Sequence, residues 1–150
     1  MTPTVRRVVT TSAAVLALGL SAAGCSGSPE VSATAGSTAS VAPAPAATLD
    51  ASEFAAALRR PGTTVVDVRT PAEFAQGHLP GAVNLGVSSP DFTQRLEALD
   101  VAAPYAVYCH SGNRSAAALA QMSALGFTAA YHLGGGVGAW TDAGGELVTG

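Results

Sequence analysis

The chain has 150 residues, is 48% hydrophobic but only 11% charged, and sets ten acidic residues against seven arginines, for a formal charge of −3 at pH 7. It contains no lysine. That balance argues against nucleic acid and anionic lipid surfaces as partners, because both are held through basic patches.

Residues 1–24 read as a signal peptide. Arg6 and Arg7 give a positive start, and Val8 to Leu20 form an uncharged, largely apolar run of 13 residues. A membrane-spanning helix needs roughly 20, so the run is too short to span. The small residues Ala22-Ala23-Gly24 then lead to Cys25. The paired arginines leave a twin-arginine export route open beside the general one, although Val8-Val9 fits the fuller pattern poorly. Leu20-Ser21-Ala22-Ala23-Gly24-Cys25 resembles a bacterial lipobox, with Ala22 where that motif usually has leucine. The resemblance implies a lipid-modified Cys25 and a protein anchored at the extracytoplasmic face of the bacterial cell membrane. Cleavage and plain secretion as a soluble protein is the alternative.

Residues 25–47 read as a linker. After Cys25 the segment is almost wholly Ala, Ser, Pro, Thr, Gly and Val, with one charge, Glu30, and no aromatic residue. It cannot bury enough apolar surface to offset its ordering entropy. As a flexible coil it would reach on the order of 25 Å. Residues 48–150 remain, about one small domain with enough chain for one core. Beyond residue 24 the chain has five arginines against ten acidic residues, a charge of about −5.

Within that domain helical and strand patterns alternate. Asp50-Ala51-Ser52-Glu53 is a capping-box signature, followed by Phe54, Ala57 and Leu58 on one helical face. Thr63 to Val68 predicts a buried strand. Thr70-Pro71-Ala72-Glu73 predicts a second helix start, which Gly77 closes. Ala82 to Leu85 predicts a strand, and Ser89-Pro90 opens a helix carrying Phe92, Leu96 and Leu99. Tyr105 to Tyr108 is the next strand, and Arg114 to Leu125 the next helix, ended by Gly126. Thr128 to His132 is a last strand, and a glycine-rich turn leads into a short helix around Trp140. This alternation predicts an α/β domain with an open parallel sheet and helices on both faces. Sites in such sheets form at strand carboxyl ends, where Asp67-Val68-Arg69 and Cys109-His110 fall.

Residues 105–115, Tyr-Ala-Val-Tyr-Cys-His-Ser-Gly-Asn-Arg-Ser, carry the chemistry. A strand delivers Cys109 to a tight polar loop, and a helix follows. Several backbone N–H groups and the positive end of a helix dipole then meet at the loop's centre, where a sulfur is stabilised as thiolate. A disulfide with Cys25 and an inert core cysteine are the competing readings. Gly134-Gly135-Gly136 with Gly138 lacks the context of a dinucleotide loop and reads as a strand-to-helix turn. His78, His110 and His132 have no metal-ligand spacing and no Cys-x-x-Cys occurs, so neither a metal nor another cofactor is expected.

Four blocks in order resemble a single-domain rhodanese: Val65-Val66-Asp67-Val68-Arg69 with Glu73-Phe74; Gly77-His78-Leu79-Pro80-Gly81-Ala82-Val83-Asn84; Tyr108-Cys109-His110-Ser111-Gly112-Asn113-Arg114-Ser115; and Gly134-Gly135-Gly136-Val137-Gly138-Ala139-Trp140. The resemblance covers Leu49 to about Val148, the whole folded domain. It implies a rhodanese-like, mostly parallel five-stranded sheet and a sulfurtransferase of the thiosulfate type. A sulfane sulfur would pass from a small anionic donor such as thiosulfate, through a persulfide on Cys109, to cyanide or a thiol. Relatives commonly carry Arg where this chain has His110. Cysteine phosphatases of related fold place five residues between cysteine and arginine. Here four, His110 to Asn113, separate Cys109 from Arg114, a cradle better sized for one sulfur atom.

The loop His110, Ser111, Gly112, Asn113 and Arg114 would hold that sulfur. Gly112 lets the loop turn its N–H groups inward. Arg114 either holds the loop's shape and attracts anions or faces solvent. His110 either adds charge when protonated or is an ordinary loop residue. Asp67 and Arg69 are supporting candidates, with Arg69 expected to pair with Glu73 four residues on. His78 reads as a structural histidine and Trp140 as core. A second function is compatible with the same loop: a non-enzymatic extracytoplasmic sulfur carrier or binding module.

Overall fold

The computed structural model describes residues 41–150. The expected signal peptide at 1–24, Cys25, and the linker up to residue 40 lie outside the described residues. The elements run β1 (Thr48–Leu49), α1 (Ala51–Leu58), β2 (Thr64–Asp67), α2 (Pro71–Gln76), β3 (Val83–Asn84), α3 (Phe92–Glu97), β4 (Tyr105–Tyr108), α4 (Asn113–Ala124), β5 (Ala130–Leu133) and α5 (Gly136–Asp142). The five strands form one sheet in the order β1-β5-β4-β2-β3, with every neighbouring pair parallel.

Local chemistry sets the helix starts. Asp50 accepts from the Glu53 backbone N–H at 2.8 Å while the Glu53 carboxylate accepts from the Asp50 N–H at 3.0 Å, a reciprocal cap on α1. Thr70 and Glu73 do the same for α2, with Pro71 in its first turn. The helix expected from Ser89-Pro90 begins only at Phe92. The Ser89 hydroxyl is spent on the Asp91 carboxylate and does not cap the backbone.

The central strand shows why the sheet is buried on both faces. Tyr105, Val107 and Cys109 point into one cluster with Phe92, Leu96, Ala118, Leu119 and Met122 from α3 and α4. Ala106 and Tyr108 point into the other with Phe54 and Ala57 of α1 and the half-buried Val137 and Trp140 of α5. The period of two in β4 thus feeds two cores, and each large apolar side chain buried there contributes about 1.5–3 kcal/mol.

Three strands, β2, β3 and β5, are shorter than the sequence patterns imply, and β1 escapes them altogether. Thr48–Leu49 is a strand only because it pairs with His132 and Leu133. The edge pairing starts earlier still, with the Ala46 N–H donating to the Ala130 carbonyl at 2.8 Å and the His132 N–H to the Ala47 carbonyl at 2.9 Å.

Candidate active site

The carboxyl ends of β2, β4 and β5 converge on one loop. β4 ends at Tyr108, so Cys109 is the first residue past the ladder. The Val68 N–H still bonds the Tyr108 carbonyl at 3.0 Å, which fixes the end of β2 beside it. Gly112 then turns the chain into α4 with φ +92°, and a Cβ at that position would sit 3.0 Å from the Gly135 nitrogen. Only glycine both tolerates that φ and lets the two loops approach.

Cys109 is a free cysteine with 0% exposure. Its Sγ accepts from the Gly112 N–H at 3.1 Å, and the Ser115 Oγ lies 3.6 Å away. Burial pushes the thiol pKa up. The Ser115 hydroxyl and the backbone N–H groups of Ser115, Ser111 and Gly112 outweigh it, and the net shift is down from the ordinary value. Of the inward amides expected from the sequence, the Gly112 N–H makes a hydrogen bond to the sulfur. The sulfur nevertheless lies on the floor of the loop, beneath its rim, and is not presented at the surface. His110, Ser111 and Asn113 are exposed around it.

The glycine-rich turn after β5 forms the opposite wall. Gly136, at φ +59°, is so close that a Cβ would fall 2.4 Å from the Cys109 carbonyl oxygen. The next residue, Val137, donates its N–H to that same oxygen at 2.9 Å. The strand-to-helix turn read from the sequence is correct, but it also braces the cysteine loop from behind.

Arg114 ties the loop to α2. Its two terminal nitrogens bond the Glu73 carboxylate at 2.8 and 2.6 Å, with both side chains about one-third exposed. The Arg114 guanidinium holds the Glu73 carboxyl well below the usual carboxylate range. The expected Arg69–Glu73 pair is not formed. Arg69 precedes the Thr70 cap and lies outside the helix, so helical four-residue spacing does not apply to it. It turns back to Asp67 instead. Nε and Nη2 bond the carboxylate at 2.6–3.0 Å, and Nη2 also donates to the Gly77 carbonyl at 2.6 Å. The pair is buried, with side-chain exposures of 6% and 0%, and the guanidinium lies 5.6 Å from the Tyr108 ring centre. Asp67 and Arg69 thus brace the end of β2 and do not reach the sulfur.

Tyr108 fixes the residue before the cysteine. Its hydroxyl accepts from the buried Leu79 N–H at 3.0 Å, and burial pushes its phenol well above the usual range. His78 is structural as expected, with Nδ1 3.0 Å from the Phe74 carbonyl and its ring stacked on Phe74 at 3.7 Å. His110 borders a shallow hollow of about 310 Å³ with Arg69, Glu73, Gln76, Gly77, Val137 and Leu147.

Sequence reasoning passed over two residues behind the sulfur. Ser115, in the first turn of α4, donates to the Gly112 carbonyl at 3.0 Å and lies 3.0 Å from His132 Nδ1. His132 Nε2 lies 2.9 Å from the Thr48 hydroxyl. The signal was a lone histidine inside the otherwise apolar strand Ala-Tyr-His-Leu.

Residues 50–143 match the family profile of the rhodanese-like domain. The thiosulfate sulfurtransferase GlpE of Pseudomonas fluorescens (strain SBW25) is 40% identical over 89 residues, which is 59% of this chain and 79% of that protein. A rhodanese-related protein from Thermoplasma volcanium superposes with a TM-score of 0.62 at 30% identity, over 69% of this chain and 99% of that one. A thiosulfate sulfurtransferase from Pseudomonas aeruginosa superposes with a TM-score of 0.59 at 33% identity, over 70% of this chain and 20% of that longer one.

Proposed function

The chain belongs to the rhodanese-like domain family, and from that premise and the loop geometry we propose that it is a sulfurtransferase working through a persulfide on Cys109. The observation that carries the reading is the sulfur held by the Gly112 N–H at the start of α4. Burial opposes the charged sulfur, but the inward donors outweigh it and hold the Cys109 thiol below its ordinary value, which favours the thiolate. The thiolate attacks the outer sulfur of a donor such as thiosulfate. A new S–S bond forms, the donor's S–S bond breaks, and sulfite leaves with the electron pair. Cyanide or a thiolate acceptor then attacks the outer sulfur of the persulfide, and Cys109 leaves as thiolate again. Inward amides stabilise the anionic sulfur in both displacements, and ping-pong kinetics follow.

The test is to incubate the protein with thiosulfate and find one added sulfur atom on Cys109 by mass spectrometry. Its absence, or its persistence in Cys109→Ser, overturns the reading. A second reading, a sulfur carrier loaded by a partner protein, uses the same loop. Rapid turnover of thiosulfate with cyanide would exclude that. We further propose that a lipid on Cys25 holds the domain at the extracytoplasmic face of the cell membrane. Cys25→Ala should release the protein from the membrane fraction, and unchanged partitioning refutes the anchor.

A further inference from the structure

His132 is a titratable side chain only 6% exposed, and sulfur transfer as written above makes no use of it. Both its ring nitrogens are engaged, Nδ1 with the Ser115 hydroxyl at 3.0 Å and Nε2 with the Thr48 hydroxyl at 2.9 Å. Ser115 Oγ is in turn 3.6 Å from Cys109 Sγ. The four side chains come from β1, β5, α4 and the end of β4, and they make one continuous chain.

Burial lowers the pKa of the ring, so at neutral pH it is neutral, with one N–H and one lone pair. The two tautomers have opposite consequences for the sulfur. With the proton on Nε2, the ring donates to Thr48 and its Nδ1 takes the single hydroxyl proton of Ser115. That proton then points away from Cys109. With the proton on Nδ1, the ring donates to Ser115, Thr48 donates to Nε2, and the Ser115 proton is left for the two acceptors it faces, the Gly112 carbonyl at 3.0 Å and the sulfur at 3.6 Å.

We propose that His132 is a positioning residue for Cys109: its Nδ1–H tautomer, with Nε2 accepting from Thr48, orients the Ser115 hydroxyl toward Sγ and favours the thiolate. The inference rests on Cys109 being the sulfur carrier. The elements packed against β5 are β1, β4, α4 and α1. Of the charged groups these bring, Glu53 is held in the α1 cap with Asp50 and Arg114 is bound to Glu73. The titratable side chains of β4 are Tyr105 and Tyr108, and just past its end lies the Cys109 thiol, the group His132 reaches through Ser115.

The test is the pH profile of Cys109 alkylation by iodoacetamide in the full chain, read on the Cys109 peptide by mass spectrometry. The profile should have its midpoint below the free-thiol value of about 8.5. His132→Leu should raise the midpoint by about one pH unit, an alkylation rate about tenfold lower on the acid side. His132→Asn, which keeps an N–H donor near Nδ1, should recover most of the shift. Thr48→Val should move it the same way by less. An unchanged midpoint in His132→Leu and Thr48→Val overturns the proposal, as does a uniform loss of rate at every pH. Should His132→Leu not fold, Ser115→Ala and Thr48→Val decide: a rise in both supports the relay, and a rise in Ser115→Ala alone overturns it. Persulfide loading of the unaltered protein is scored separately. Its failure would sink the sulfurtransferase reading while leaving the alkylation profile readable.

Discussion

Gly136→Ala is the sharpest perturbation the site allows. The added methyl carbon would lie 2.4 Å from the Cys109 carbonyl oxygen, 2.5 Å from the His110 carbonyl carbon and 2.6 Å from the His110 oxygen. Non-bonded heavy atoms settle near 3.5–4.0 Å, and these three belong to backbone, so no side-chain rotation relieves the contact. The cysteine loop must move by about 1 Å, which breaks the Val137 to Cys109 hydrogen bond. The left-handed φ of +59° adds its own strain. Left-handed strain costs about 1–2 kcal/mol, overpacking about 1–3 kcal/mol and the lost hydrogen bond about 1 kcal/mol. A loss of about 3–6 kcal/mol follows, which lowers Tm by roughly 15–30 °C in a domain this size. In the protein that remains folded, thiocyanate formation from thiosulfate and cyanide should fall about 100-fold, the penalty for misplacing a reacting atom by about 1 Å. Gly138→Ala is the matched control. It lies in the same helix with nothing within 4 Å of its would-be Cβ, so alanine there should stabilise by about 0.5–1 kcal/mol. Thermal denaturation and turnover of both variants settle the matter. If Gly136→Ala melts like Gly138→Ala, the turn does not brace the cysteine loop.

Asp67→Ala strands the Arg69 guanidinium in the interior and should cost about 3–5 kcal/mol, read from the urea midpoint, and adding Arg69→Met should recover part of it. Tyr108→Phe leaves the Leu79 N–H without its acceptor and should cost about 1–3 kcal/mol in the same assay. For Glu73 the folded pKa is depressed, so its contribution is present above the unfolded value of about 4.3 and fades as pH falls toward the lower folded one. The pair is about one-third exposed, so Glu73→Gln should lose no more than about 1 kcal/mol near neutral pH. That gap should narrow below about pH 4 and shrink in high salt, and a gap independent of pH would refute the pairing.

Much of this architecture was legible because local chemistry and tertiary demand agree. The Thr70-Pro71-Ala72-Glu73 cap and the apolar Tyr105–Tyr108 run each have one stable environment, and each forms the predicted element. The cysteine loop was readable for the same reason, since strand, glycine and helix start are adjacent in the chain. What escaped detection depends on partners distant in sequence. β1 has two residues and no periodicity of its own, and only β5 makes it a strand. The Arg69–Asp67 pair was missed because four-residue spacing was applied across the Thr70 cap, where no helix exists. Ser115 could be seen in the motif, but its link to His132 and Thr48 is a consequence of sheet order. A proximity of that kind leaves no mark on neighbouring residues.

The sheet order also governs when the thiol acquires its character. Thr48 and His132 stand 84 positions apart and meet only when the first strand docks beside the last. Closing so long a loop is among the slower events of assembly, and the wall at Gly134–Gly136 is translated later than everything it supports. A nascent or partly threaded chain has the donors of the cysteine loop in sequence but neither the wall nor the Thr48–His132 contact behind it. On the relay proposed above, the thiol reaches its full acidity only once the first strand is docked.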